Sequence, residues 1–169
     1  MAETIKPLGV QPITIRKITL WRREVDSRPG AFTNVLEPFV NTGTDLQVVM
    51  RYRHPREDNK AIVEVCPQSS EGEEQWRPVM QAAGLKASYV PTLLIDGDHI
   101  PGLDYDVAKT IADLDIKIMF LVAQTIDGKY TATIGFESDT DAEKAAVSLL
   151  LIKSEVLGHE DEPSAGETQ

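Results

Sequence analysis

The sequence predicts an α+β protein made of two modules in tandem, each an antiparallel sheet with its helices on one face. Three observations predict this. Apolar periodicity switches between the strand period of two and the helix period of 3.6. The order strand, helix, strand, strand, helix occurs twice. Both copies place Pro-Gly at the first strand-to-helix turn, Pro29-Gly30 and Pro101-Gly102, 72 residues apart.

The first copy opens with an extended run over Ile13, Ile15, Ile18, Leu20 and Val25, which stops at Asp26-Ser27-Arg28-Pro29-Gly30. Phe32, Val35, Leu36, Phe39 and Val40 then share one helical face, with Asp26 or Ser27 as candidate caps and Gly43 as the stop. Pro38 is an awkward member of that helix and a candidate kink. Leu46, Val48, Met50 and Tyr52 alternate as a strand, Arg53 to Asn59 is a charged turn, and Ala61, Val63 and Val65 form the partner strand. A helix over about residues 73–83 follows, ended by Gly84.

The second copy starts with an extended run from Ser88 to Ile95; the part from Tyr89 is a candidate to serve both sheets. Asp96 to Gly102 is the turn, and a helix from Leu103 carries Val107, Ile111 and Leu114. Two strands flank the hairpin turn Asp127-Gly128. Thr140 to Glu143 reads as a capping box for the last helix. Between Ile116 and Ala123 both alternating faces are apolar. A sheet covered on one side should be polar on the other, so a second module or a second chain is expected to cover this stretch. The predicted organisation is an arm over 1–12, a first module over 13–87, a second over 88–154, and a disordered acidic tail over 155–169.

The 169 residues allow one medium domain or two small ones, and two modules of about 70 residues have thin cores. Modules this small are expected to pack on each other or on another chain. The net charge of −10 argues against nucleic acid and against anionic membrane surfaces. No apolar run is long enough to span a bilayer. Residues 1–12 lack the pattern of a signal peptide, and one cysteine permits no internal disulfide, so the cytoplasm is the expected location.

A helix N-terminus exposes unpaired N–H groups and a partial positive charge, so a carboxylate docks there. Gly30 and Gly102 leave the approach to the backbone open. At the first turn the expected donors are the N–H groups of Gly30, Ala31 and Phe32, with Arg28 adding a charge-assisted bond. Asp26 would receive the ligand's ammonium group, and Gln47 and Val49 on the facing strand would complete the pocket. At the second turn the candidates are Asp98, His99, Gly102, Leu103 and Gln124. No arginine stands there, and Asp98 favours an ammonium group. One strong site, or two unlike ones, is therefore expected. A purely structural role for either turn stays open at this level.

The segment Trp21 to Ala31, with Leu36 and Gly43-Thr44-Asp45-Leu46, resembles an ACT domain. Pro91 to Gly97, Pro101-Gly102-Leu103 and Phe136-Glu137-Ser138 resemble stand-alone tandem ACT proteins of bacteria. The resemblance covers Ile13 to Leu151. It implies ferredoxin-like βαββαβ modules, pairing of modules, and an amino acid or similar effector bound where modules meet. With no catalytic domain attached, it further implies that any regulated enzyme is a separate polypeptide.

Other residues read as structural. Cys66 lacks a paired histidine, His54 and His159 form no metal spacing, and the Arg51, Arg53, Arg56 and Asp96, Asp98 clusters read as solvated turns. Trp21 and Trp76 read as packing or interface residues. No cofactor is expected. The leading expectation is a non-catalytic sensor of a small metabolite, a homodimer acting on a separate metabolic enzyme. Two alternatives stand beside it: an interaction module or regulatory subunit without its own ligand, and an enzyme on a ferredoxin-like fold.

Overall fold

The computed structural model describes residues 13–68 and 73–156. The expected arm, and all of the expected tail except residues 155 and 156, lie outside them. Those two residues end the last helix.

The strands are β1 (Thr14–Ile18), β2 (Trp21–Asp26), β3 (Leu46–Arg53), β4 (Lys60–Pro67), β5 (Lys86–Ala87), β6 (Thr92–Asp98), β7 (Ile118–Ile126) and β8 (Lys129–Phe136). The helices are α1 (Ala31–Thr42), α2 (Arg77–Ala82), α3 (Leu103–Asp113) and α4 (Asp139–Val156). They build two four-stranded antiparallel sheets, ordered β3-β4-β2-β5 and β1-β6-β8-β7. Two ferredoxin-like modules result, as the repeat predicts.

The chain divides into residues 18–90 and a second unit that joins residues from 91 onward to the stretch ending at Lys17. The extended run from Ile13 to Val25 is therefore two strands, not one. β2 belongs to the first sheet, whereas β1 lies beside β6 as an edge of the second. Arg16 on β1 binds Asp96 on β6 at 2.8 Å, and Lys17 binds Asp139 at the start of α4. Among the described residues no strand serves both sheets: β5 closes the first and β6 begins the second. A two-residue β5 suffices because it covers only Trp21 and Arg22 of β2.

In the first module Val25, Ala61, Val63 and Val65 face Val35, Phe39, Val79 and Met80 of the helices. The predicted second helix is split, with a 3-10 turn (Glu73–Gln75) before α2 and Pro78 in the first turn of α2. β4 is buried on both faces. Its other face carries Ile62, Glu64 and Cys66, and Glu64 accepts a hydrogen bond from the Tyr52 hydroxyl at 2.9 Å. That pairing satisfies a carboxylate that is only 1% exposed.

In the second module Leu93, Ile95, Tyr130, Ala132, Ile134 and Phe136 pack on Val107, Ile111, Ala145 and Leu149. Asp127 and Gly128 both have positive φ, 49° and 74°, as the predicted hairpin turn requires. α4 starts one residue before the expected box. The Ser138 hydroxyl, not Thr140, accepts the Asp141 N–H at 3.1 Å. β7 is the outer strand of its sheet, and Met119, Leu121, Val122 and Ile126 are exposed in the single chain.

Candidate functional site

Both turns start a helix in the same way. Gly30 and Gly102 are the N-caps, left-handed at φ 84° and 85°, and neither helix has a side-chain cap. The expected caps Asp26 and Ser27 sit too early, because the chain needs Arg28-Pro29-Gly30 to turn from β2 into α1. Gly30 and Gly102 each accept the N–H four residues on, from Asn34 at 3.1 Å and Asp106 at 3.0 Å. A Cβ at either glycine would meet open space, so glycine is required by φ and not by crowding.

The first turn is cationic. Ala31 donates its N–H to Arg28 O at 3.3 Å, so one of the three expected ligand donors is spent within the turn. Gly30 and Phe32 remain as the candidate backbone donors. Asp26 is engaged by Lys60 at 2.8 Å and lies 3.9 Å from Arg28 Nε. The Lys60 hydrogen bond, then its charge, hold the Asp26 carboxyl below the usual carboxylate range. Arg51 donates to the Ser27 hydroxyl at 3.4 Å.

Gln47 does not reach this turn. Its amide donates to Pro67 O at 3.0 Å, at the opposite end of the sheet from the Asp26–Lys60 pair. β2 and β3 both run antiparallel to β4, so α1 carries the chain back and β3 approaches the turn with its last residues. Arg51 therefore occupies the place expected for Gln47 and Val49. Counting strand direction across the β-α-β unit is the signal that would have found it.

The second turn is acidic. Asp104 and Asp106 stand in the first turn of α3, and Asp98 is paired with Lys129. His99 is held by its N–H to Gly128 O at 2.8 Å, and its Nδ1 meets the Thr125 hydroxyl at 3.2 Å. Leu103 is 2% exposed and belongs to the core, where it anchors α3. Gln124 pairs with Thr131, whereas Thr125 pairs with the core residue Tyr130. Gln124 thus sits one residue off, on the sheet face away from the helices. Thr125 is the β7 residue that meets the turn.

Tyr130 itself was not foreseen. Its hydroxyl is buried without a hydrogen bond of good geometry. Burial, then the Asp104 charge, hold it far above the ordinary phenol range.

Two depressions of the first module lie elsewhere. One, of about 390 Å³, is lined by Arg22, Arg23, Glu24, Gly84, Lys86 and Tyr89 among others. The other, of about 290 Å³, lies between the end of α1 and the start of β3. Among the described residues no three His, Cys, Asp or Glu side chains are grouped to hold a metal. No described helix is long and apolar enough to cross a membrane.

No family model matches the chain, and no curated protein matches it in sequence. Solved structures do. Protein BT0572 from Bacteroides thetaiotaomicron is similar at 10% identity and a TM-score of 0.64, over 83% of this chain and 90% of that one. The regulatory subunit of aspartate kinase from Thermus thermophilus is similar at 15% identity and a TM-score of 0.52, over 86% and 97%. At such identities the likeness carries the fold. In fold, this chain is a tandem of two ferredoxin-like modules, an architecture it shares with these structures.

Proposed function

We propose that this protein is a non-catalytic regulatory protein that binds a small metabolite carrying a carboxylate, an amino acid in the first instance, at the turn from β2 into α1. One observation carries the reading. A left-handed Gly30 opens the start of α1 to solvent, while Arg28 and Arg51 bracket the same turn. Backbone N–H groups and two guanidinium groups are what a carboxylate needs. Asp26 then exchanges part of its pairing with Lys60 for the ligand's ammonium group. The fold shared with a regulatory subunit of aspartate kinase supports a regulatory role. The chain works as a homodimer on a separate metabolic enzyme, in the cytoplasm.

A thermal-shift screen of the twenty amino acids and related carboxylates tests this. A ligand at a hundredfold excess over Kd adds about 2.7 kcal/mol of stability. No shift from any of them sinks the ligand reading. A regulatory subunit without its own ligand then takes its place. The ion pairs that already satisfy Asp26 favour that second reading, and recovery of one enzyme in a ligand-free pull-down would support it.

A further inference from the structure

We propose that the depression beside β5 is a further ligand site, separate from the turn into α1, and that it takes a mononucleotide, with the phosphate on its cations and the base on Tyr89.

The depression belongs to the first module and opens beside the start of β2, where β5 pairs with only Trp21 and Arg22. Its volume of about 390 Å³ lies in the range of small-molecule sites. Its lining holds three cations, Arg22, Arg23 and Lys86, against one carboxylate, Glu24. That balance runs against the chain as a whole, whose net charge is −10.

The cations stand where they repel each other. The register sets Lys86 directly opposite Arg22, and like charges facing each other across a strand pair destabilise it. The neighbouring carboxylates relieve this only in part. Glu24 Oε1 is 3.6 Å from Arg22 and is shared with His54 Nε2 at 3.7 Å. Glu64, opposite Arg22 on β4, is buried and accepts the Tyr52 hydroxyl. Lys86 forms no salt bridge among the described residues. Arg23 is fixed in place: its Nη1 donates to Ala83 O at 2.8 Å, and its guanidinium lies against Gly84. A phosphate monoester dianion between Arg22 and Lys86 removes the repulsion and gains charge-assisted hydrogen bonds.

Tyr89 names the rest of the ligand. It lines the same depression and is 81% exposed. An aromatic ring left open beside a cationic pocket offers a face on which a base stacks. The ligand is a single nucleotide and not a strand, because the acidic chain repels a polyanion at long range while a small ligand meets the local cations.

Calorimetric titration of the full chain with AMP tests the proposal. Adenosine, which lacks the phosphate, and ribose 5-phosphate, which lacks the base, are the comparison ligands. AMP should bind about tenfold more tightly than either. Lys86→Ala should weaken AMP binding about tenfold. Tyr89→Ala should weaken AMP but leave ribose 5-phosphate unchanged. Both side chains are at the surface, and circular dichroism confirms that the variants are folded. Ribose 5-phosphate binding as tightly as AMP, with Tyr89→Ala silent, makes this a bare anion site and overturns the nucleotide. AMP binding that survives both substitutions lies elsewhere and overturns the site, as does no binding of AMP at millimolar concentration.

Discussion

The two strand-to-helix turns share a backbone and differ in charge. Gly30 and Gly102 have φ within a degree of each other and accept equivalent helical hydrogen bonds. Around the first stand Arg28, Arg51 and Lys60 against Asp26; around the second stand Asp98, Asp104 and Asp106 against Lys129. A helix N-terminus attracts anions in both places. At the second turn its own aspartates already answer that field, so a carboxylate ligand would face repulsion there. The difference teaches that the turn's shape starts the helix, whereas its side chains decide whether a ligand is welcome.

The largest test of that contrast is Arg28→Ala. Losing a charge-assisted bond should weaken amino-acid affinity by about 10- to 100-fold in calorimetric titration. Asp98→Asn and His99→Ala at the second turn should leave that affinity within about twofold. Equal losses at both turns would erase the distinction.

The modules should also answer unequally to loss of a phenol. Tyr52→Phe leaves the buried Glu64 carboxylate short of a donor and should cost about 1–3 kcal/mol in urea denaturation. Tyr130→Phe removes a buried hydroxyl that lies beside Asp104 without a hydrogen bond of good geometry, and should cost less than Tyr52→Phe. The backbones, by contrast, should respond alike. Gly30→Ala and Gly102→Ala should each cost about 1–2 kcal/mol because both positions are left-handed. Only the first should also reduce ligand binding.

The smallest effect is alkaline. Burial first, then the Glu64 charge, push the Tyr52 hydroxyl from 10.0 up to about 12. A pKa raised by folding contributes stability that is complete below pH 10 and lost as pH rises through 12. The stability gap between wild type and Tyr52→Phe should therefore narrow across that window. A gap that stays constant would show that Tyr52 does not titrate against Glu64.

What was legible in the sequence was local. The two Pro-Gly turns and the Asp127-Gly128 hairpin follow from φ preference, and all are present. The helix faces follow from periodicity only in part: Val35 and Phe39 are buried as expected, whereas Val40 is exposed and Leu114 lies beyond the end of α3. Direction, parity and partner choice were not legible. Alternation alone puts Gln47 at the first turn, but the return path of α1 brings Arg51 there instead. Gln124 missed the second turn by one residue, which in a strand is the whole width of the sheet. Tyr130 carries no signal at all, since an alternating tyrosine reads as core whether or not its hydroxyl finds a partner. Nothing in Ile13 to Val25 states that its first half pairs with a strand some 80 residues away.

That last feature bears on how the protein acquires its structure during synthesis. β1 leaves the ribosome before β2, yet its sheet is completed only after β8, and the Lys17–Asp139 pair spans 122 residues. The first module, contiguous over 18–90, is free to form while β1 waits as an unpaired strand. Closure of the second sheet then carries high contact order and should be the slow step. A fragment starting at residue 88 would leave one edge of β6 bare. Grafting residues 13–18 after α4 would instead turn the second module into a contiguous, separately foldable chain.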